Sequence, residues 1–235
     1  EEGVRRAANF SIIGYGKLGG YEMHYQSDLD VIFLHDSGGE HQHTSGDKSI
    51  ENSVYFPRLA QKIISMSSVL TASGKLYEID SRLRPEGASG LLVSSIQSYL
   101  RYQLEKAWTW EHQALTRARC VAGLDKNRDL TSKVIKSVLN QKRDNRELAA
   151  EVISMREKMV KHLSSRDSKQ INIKQDPGGL VDIEFLAQYA RLAFGGSERG
   201  TVGIFGHLPD TAPEAWKSAA ELLIKTFIDY RRMEN

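Results

Sequence analysis

Apolar positions fall into short β-branched runs in the first half of the chain and helically spaced stripes in the second. Phe10-Ser11-Ile12-Ile13 predicts a short strand, and Asp28-Leu29-Asp30-Val31-Ile32-Phe33-Leu34 a second. Val54, Leu59, Ile63, Ile64 and Val69 are spaced for a helix from about Glu51 to Leu70, packed on a sheet. From Lys75 to Pro85 the chain alternates, with Tyr77, Ile79 and Leu83 on one face and Glu78, Asp80, Arg82 and Arg84 on the other, which predicts a third strand. Gly87–Gly90 reads as a turn and Leu91-Leu92-Val93 as a short strand. Ser94 with Gln97 forms a capping box that opens a helix at Ile96. Tyr102, Trp108 and Trp110 in its continuation are expected in the core.

After Gly123 the character changes to charged amphipathic helices, at Asn127–Arg143 and Glu147–Leu163. Asp176-Pro177-Gly178-Gly179 breaks the chain before a helix at Val181–Phe194. Gly195–His207 reads as a glycine-rich connector, and Thr211 and Glu214 cap a last helix with Pro213 in its first turn. The expected architecture is α+β: a mixed sheet with flanking helices over residues 1–123, then a helical domain over 124–235. The start at Glu1-Glu2-Gly3 and the stop inside an amphipathic run suggest a piece of a longer polypeptide.

The 235 residues, 40% of them hydrophobic, can bury a real core. Lys and Arg number 32 against 30 Asp and Glu, so the balance gives no sign of nucleic acid or an anionic membrane as partner, and any basic site is local. No apolar run approaches the ~20 residues that span a bilayer. A single cysteine, Cys120, excludes an internal disulfide and fits a reducing, cytoplasmic compartment.

The chemistry gathers around acidic residues. Asp28 and Asp30 sit one residue apart and project to the same side of a strand, where two carboxylates repel unless a cation lies between them. Hard divalent ions such as Mg²⁺ take such ligands, often together with substrate phosphates. Asp80, followed on the same predicted face by Arg82 and Arg84, adds a third carboxylate and two phosphate-binding cations. Gly14, Gly16 and Gly19 spell G-x-G-x-x-G after a strand, with Asp36 at the end of the next, which is the pattern of a dinucleotide-binding βαβ unit. Only seven residues separate Gly20 from Asp28, however, and a helical crossover takes ~10 to 12. The glycines therefore read as a loop whose bare amides approach phosphate, with Lys17 beside them. His41 and His43 lie in a polar loop without a third ligand nearby, so they carry no metal assignment. Glu111, His112, Arg117 and Arg119 are spaced so that they could line a site, with a solvated face the favoured reading. Asp182 and Glu184 lie on different faces of their helix, leaving one free to cap or pair and the other to face the site.

Five ordered motifs carry a resemblance: Gly16-Lys17-Leu18-Gly19-Gly20, Ser27-Asp28-Leu29-Asp30, Asp80-x-Arg82-Leu83-Arg84-Pro85, Trp110-Glu111-His112-Gln113-Ala114-Leu115 and Gly178-Gly179-Leu180-Val181-Asp182-Ile183-Glu184-Phe185. Together they resemble the bifunctional glutamine synthetase adenylyltransferase/adenylyl-removing family. Phe33-Leu34-His35-Asp36, Tyr77-Glu78-Ile79-Asp80 and Trp108-Thr109-Trp110-Glu111-His112 look like its C-terminal, adenylylating half. The resemblance implies a DNA-polymerase-β-like nucleotidyltransferase domain followed by a helical domain, using ATP and Mg²⁺, with Asp28, Asp30 and Asp80 as catalytic and metal-binding carboxylates. It also implies glutamine synthetase as protein substrate and regulation by a PII signalling protein and glutamine. The wider superfamily usually shows Gly-Ser at the phosphate loop, where this chain has Gly16-Lys17, which leaves Gly19-Gly20 or Ser27 to supply the expected contact.

The expected reaction is a two-metal transfer of AMP to a tyrosine, with ions roughly 3.5 to 4 Å apart bridged by Asp28 and Asp30. Asp80 would act on the acceptor side, and Lys17, Arg82 and Arg84 on the leaving phosphates. The rivals are the deadenylylating half of the same enzyme, an enzyme of the same fold acting on RNA ends, a nucleotide-binding regulatory module and a dinucleotide-dependent oxidoreductase.

Overall fold

The structure, a computed structural model, describes residues 9–25, 27–38, 42–45, 47–70, 72, 74, 77–163 and 171–234. His41, Lys75 and Leu76, which entered the sequence reading, lie outside the described residues. The chain divides into two compact units, one of residues 1–107 and 118–138, the other of residues 108–117 and 139–235.

The first unit is built around a mixed sheet. Strand β1 (Phe10–Gly14) runs antiparallel to β2 (Leu29–His35) with Ile12 opposite Phe33. On its other edge β2 takes β3 (Ile79–Asp80) and β4 (Val93–Ser95), both parallel to it, at successive stretches. β5 (Arg119–Ala122) adds antiparallel to β1, with the register shifting between Ile12 and Ile13. Val31 to Leu34 are all buried, because both faces of β2 are covered. On one face Val31 and Phe33 pack with Val93 and with Phe56 and Ala60 of helix α2 (Asn52–Ser67). On the other, helix α3 (Ile96–Glu105) brings Tyr99, whose hydroxyl meets that of Tyr15 at 2.5 Å. Cys120 is buried in β5, its thiol pushed up by that burial.

The antiparallel pairing of β1 with β2 rules out a βαβ unit. Gly16–Gly19 form a single turn, α1, instead of a crossover helix. The glycine pattern is therefore not a dinucleotide fingerprint, and the oxidoreductase reading falls.

Several local expectations also change. The third strand is only two residues long, because the Asp80 carboxylate accepts the Arg82 amide at 2.8 Å and folds the chain into a turn. Arg82 and Arg84 consequently do not alternate on a strand face. The cap of α3 is Ser95, whose hydroxyl accepts from the Ser98 amide at 3.0 Å; Ser94 lies within β4. Leu59, Ile63 and Ile64 face the sheet as expected, whereas Val54 and Val69 are exposed. Helix α5 (Asp125–Leu139) follows β5.

In the second unit, α4 (Thr109–Leu115), α6 (Asn145–Leu163) and α7 (Leu180–Phe194) pack on one another, and α8 (Gly200–Gly206) and α9 (Glu214–Glu234) pack on α7. Leu180, Ile183 and Ala187 of α7 share a core with Ile204, Phe205 and Phe227. The expected connector at Gly195–His207 thus contains a helix, held by what Ile204 and Phe205 bury. Trp108, 71% exposed, and Trp110 are not core residues. Thr211 donates to the Phe194 carbonyl at 3.1 Å rather than completing a capping box for α9.

Because Phe33 is buried on the strand that holds both layers, Phe33→Ala is expected to cost about 3 to 5 kcal/mol. Urea unfolding followed by circular dichroism would measure it.

Candidate functional site

β2 begins at Leu29, so Asp28 is the last residue before the strand and Asp30 its second. Asp30 pairs in register with Asp80 on the parallel neighbour β3, and such partners present their side chains to the same face. The Asp30 carboxyl is pushed up to about 6, first by burial and then by the charges of Asp80 and Asp28; Arg82 and Lys17 act the other way. Asp80 is held below the usual carboxylate range, chiefly by the Arg82 side chain. The Arg82 Nε donates to both Asp80 oxygens, at 3.0 and 2.9 Å, and its Nη2 forms an ion pair with Oδ2. The guanidinium itself is exposed.

The glycine turn lies directly against this acid. Tyr15 donates its amide to the Asp30 carbonyl at 2.8 Å, and a Cβ placed on Gly16 would fall on the Asp30 Oδ2. Gly16 also has φ +48°, so glycine is needed here for both reasons. The amides of Gly19 and Gly20 close the turn on the carbonyls of Tyr15 and Gly16, at 2.7 and 3.1 Å. Lys17 Nζ lies 2.5 Å from His24 Nε2.

Asp28, Asp30, Asp80, Lys17 and Arg82 are therefore electrostatically coupled, with Gly16 in contact. Two other expected site residues are engaged elsewhere. Ser27 is buried in a closed turn, accepting the His24 amide on its hydroxyl at 3.1 Å and donating its own amide to the His24 carbonyl at 3.0 Å. Arg84 donates to the carbonyls of Ser81, Ala88 and Gly90 at 2.9, 2.9 and 3.2 Å, and so clasps its own loop.

Arg119 was named in the sequence only as one of several spaced polar residues, yet it holds the glycine turn. Its Nε donates to the Gly19 carbonyl at 3.1 Å and its Nη2 to that of Leu18 at 3.0 Å. The signal available was its alternation with Cys120 on a short strand, too brief to interpret.

In the second unit, Glu111 is buried and accepts the Trp108 amide at 2.9 Å. Arg117 pairs with Glu184 at 3.0 Å, and His112 Nδ1 lies 3.4 Å from Arg143 Nη2. Asp182 pairs with Arg156 and accepts the Gly178 amide at 2.5 Å. Both acids of the Asp182-Ile183-Glu184 segment are thus paired within this unit.

The donor chemistry fits a hard divalent cation. The donors are carboxylate oxygens, and Asp30 is destabilised by two like charges that a cation would neutralise. Among the described residues no three acidic, histidine or cysteine side chains converge as a ready-made ligand set. Asp80 is turned to Arg82 instead.

A small mixed sheet with two carboxylates at the head of its central strand, against a glycine turn, is compatible with the nucleotidyltransferase fold. The family profile described as glutamate-ammonia ligase adenylyltransferase matches residues 1–134, and the chain belongs to that family. The GlnD PII-uridylyltransferase profile matches residues 146–231. A protein of Thioalkalivibrio sulfidiphilus named bifunctional glutamine synthetase adenylyltransferase/adenylyl-removing enzyme is 55% identical over 185 residues, covering 79% of this chain and 19% of the relative. Proteins of the same name from Hahella chejuensis and Mannheimia haemolytica are 51% and 50% identical, covering 82% and 78% of this chain and 20% and 19% of the relatives. The chain thus spans about a fifth of the length of these relatives. No described helix is long and apolar enough to cross a membrane.

The raised Asp30 carboxyl sets a stability signature. Between pH 3.8 and about 6 the folded chain keeps this proton while the unfolded chain releases it, so stability falls as pH rises through that window. Asp30→Asn removes the loss. In metal-free buffer its gain over the parent chain is expected to be near zero at pH 3.5 and on the order of 1 to 2 kcal/mol at pH 7.5, after allowance for partial exposure, measured by urea unfolding.

Proposed function

We propose that this chain carries a nucleotidyltransferase centre that moves AMP from ATP to a tyrosine of glutamine synthetase and thereby regulates nitrogen assimilation. The observation that carries the reading is the register of Asp30 with Asp80, with Gly16 pressed on Asp30 and Asp28 adding its charge. Transfer is preferred to removal because the motifs around Asp36, Asp80 and Glu111 resemble the adenylylating half of the family.

Asp28 and Asp30 would hold Mg²⁺, two ions in the full scheme, joined by Asp80 once its carboxylate leaves Arg82. When bound, the metal would lower the pKa of the acceptor hydroxyl and neutralise charge on the phosphates. The remaining steps belong to the chain's own residues. Gly16, having no side chain, lets the Asp30 carboxylate close against the turn, so that the acid and the turn present themselves together to the phosphates. Lys17 supplies positive charge next to that turn. Arg82 is exposed and its guanidinium pairs with Asp80 two residues away, so it can exchange a carboxylate for a phosphate oxygen as pyrophosphate departs. Arg84 and Arg119 keep the two loops in shape by donating to their carbonyls.

The same reading takes residues 1–123 as the catalytic domain and 124–235 as a helical domain, working in the cytoplasm, with the PII protein acting through the full-length enzyme. The match of residues 146–231 to the PII-uridylyltransferase profile supports a setting in the same nitrogen-regulatory group.

The Asp28→Asn, Asp30→Asn double variant is expected to lose AMP transfer by roughly two orders of magnitude or more while retaining its circular dichroism spectrum. Mass spectrometry of glutamine synthetase after incubation with ATP and Mg²⁺ reads the result. A folded double variant that labels at the parent rate would overturn the proposal.

A further inference from the structure

Tyr21 directly follows the glycine turn, and its backbone has φ +61°, the left-handed region that costs an aromatic residue strain and that glycine adopts freely. Burial gives no return for this strain, since Tyr21 is 74% exposed. Strained residues of this kind cluster at active sites and ligand clamps. The Arg119 guanidinium lies 3.9 Å from the centre of the ring, and Arg119 is itself fixed by the carbonyls of Leu18 and Gly19. Arg119 belongs to β5, where it pairs with Gly14 of β1, so the ring is tied through one cation to the sheet and to the turn that abuts Asp30.

We infer that Tyr21, backed by Arg119, is the stacking platform for the base of the bound nucleotide. This rests on the nucleotidyltransferase reading above. An aromatic face stacks on any base, a cation over the ring adds its own attraction, and a ring already immobilised gives up little freedom when a ligand arrives. The occupant is the base rather than the acceptor tyrosine, because Tyr21 adjoins the turn assigned to the phosphates, and the planar group tethered to those phosphates is the purine.

The test is direct binding of ATP with Mg²⁺, and separately of tripolyphosphate, to the 235-residue chain by calorimetry. Tyr21→Ala and Tyr21→Gly are expected to weaken ATP roughly tenfold. Tyr21→Phe should stay within about twofold, because stacking does not need the hydroxyl. Tripolyphosphate should bind all four proteins alike. Tyr21→Gly should also melt at a higher temperature than the parent, since it relieves the backbone strain; a purely structural tyrosine would give the opposite shift. Unchanged ATP affinity in Tyr21→Ala, or a parallel loss of tripolyphosphate, overturns the platform alone. A parent chain that binds no ATP overturns the platform together with the nucleotidyltransferase reading. A raised KM for the acceptor protein with ATP affinity intact would move the ring to the acceptor side and overturn the inference as well.

Discussion

The structure depends on one strand being enclosed from every side. β2 is hydrogen-bonded on both edges and covered on both faces, so the run from Val31 to Leu34 has no place for a polar group. Buried ions are tolerated only when paired or neutralised, and the two aspartates are therefore confined to the N-terminal end of the strand, where the sheet opens. Asp30 stands at this limit. It is close enough to the core to be desolvated, and close enough to Asp28 and Asp80 to feel both charges.

Around that acid the loops are held by arginines that donate to main-chain carbonyls. Arg84 clasps the segment after β3, and Arg119 clasps the glycine turn. A planar fork with several donors can satisfy two or three carbonyls at once, which a short loop without regular structure needs. Arg82 differs in kind, because its partner is a carboxylate and its side chain is in solvent. Three arginines within the first unit thus have different energetics, set by what each one faces rather than by residue type. The second unit uses ion pairs for a similar purpose: Arg117 with Glu184 and Arg156 with Asp182 join α7 to the segments packed on it.

Much of the first unit could be read from the sequence, for local reasons. β1, β2 and α2 carry their own periodicity, and the short span between Gly20 and Asp28 was enough to prefer a loop to a crossover. Asp28, Asp30 and Asp80 stood out by their spacing; the register sets Asp30 opposite Asp80, but the Asp80 carboxylate turns to Arg82, and among the described residues no three acidic side chains converge as a ligand set. What escaped depended on side chains acting on the backbone. Alternation through Arg84 looked like a strand, but the Asp80 carboxylate captured the Arg82 amide and ended it. α8 contains three glycines, so propensity argued against a helix that tertiary burial of Ile204 and Phe205 nevertheless secures. The aromatic residues at 108 and 110 looked like core by composition alone, whereas α4 directs Glu111, Gln113 and Leu115 inward instead. The spacing of Arg119 with its neighbours could not name its partners, because its role lies in two carbonyls a hundred residues away.

The lone thiol at Cys120 lies within the strand that carries Arg119, and its hydrogen points to the Ala122 carbonyl at 3.3 Å. Since the chain has no other sulfhydryl, a disulfide reagent such as dithionitrobenzoate has a single target, held largely out of solvent in a strand paired with β1. The rate of colour release then reports how far this sheet edge shields its sulfur, without any label being added.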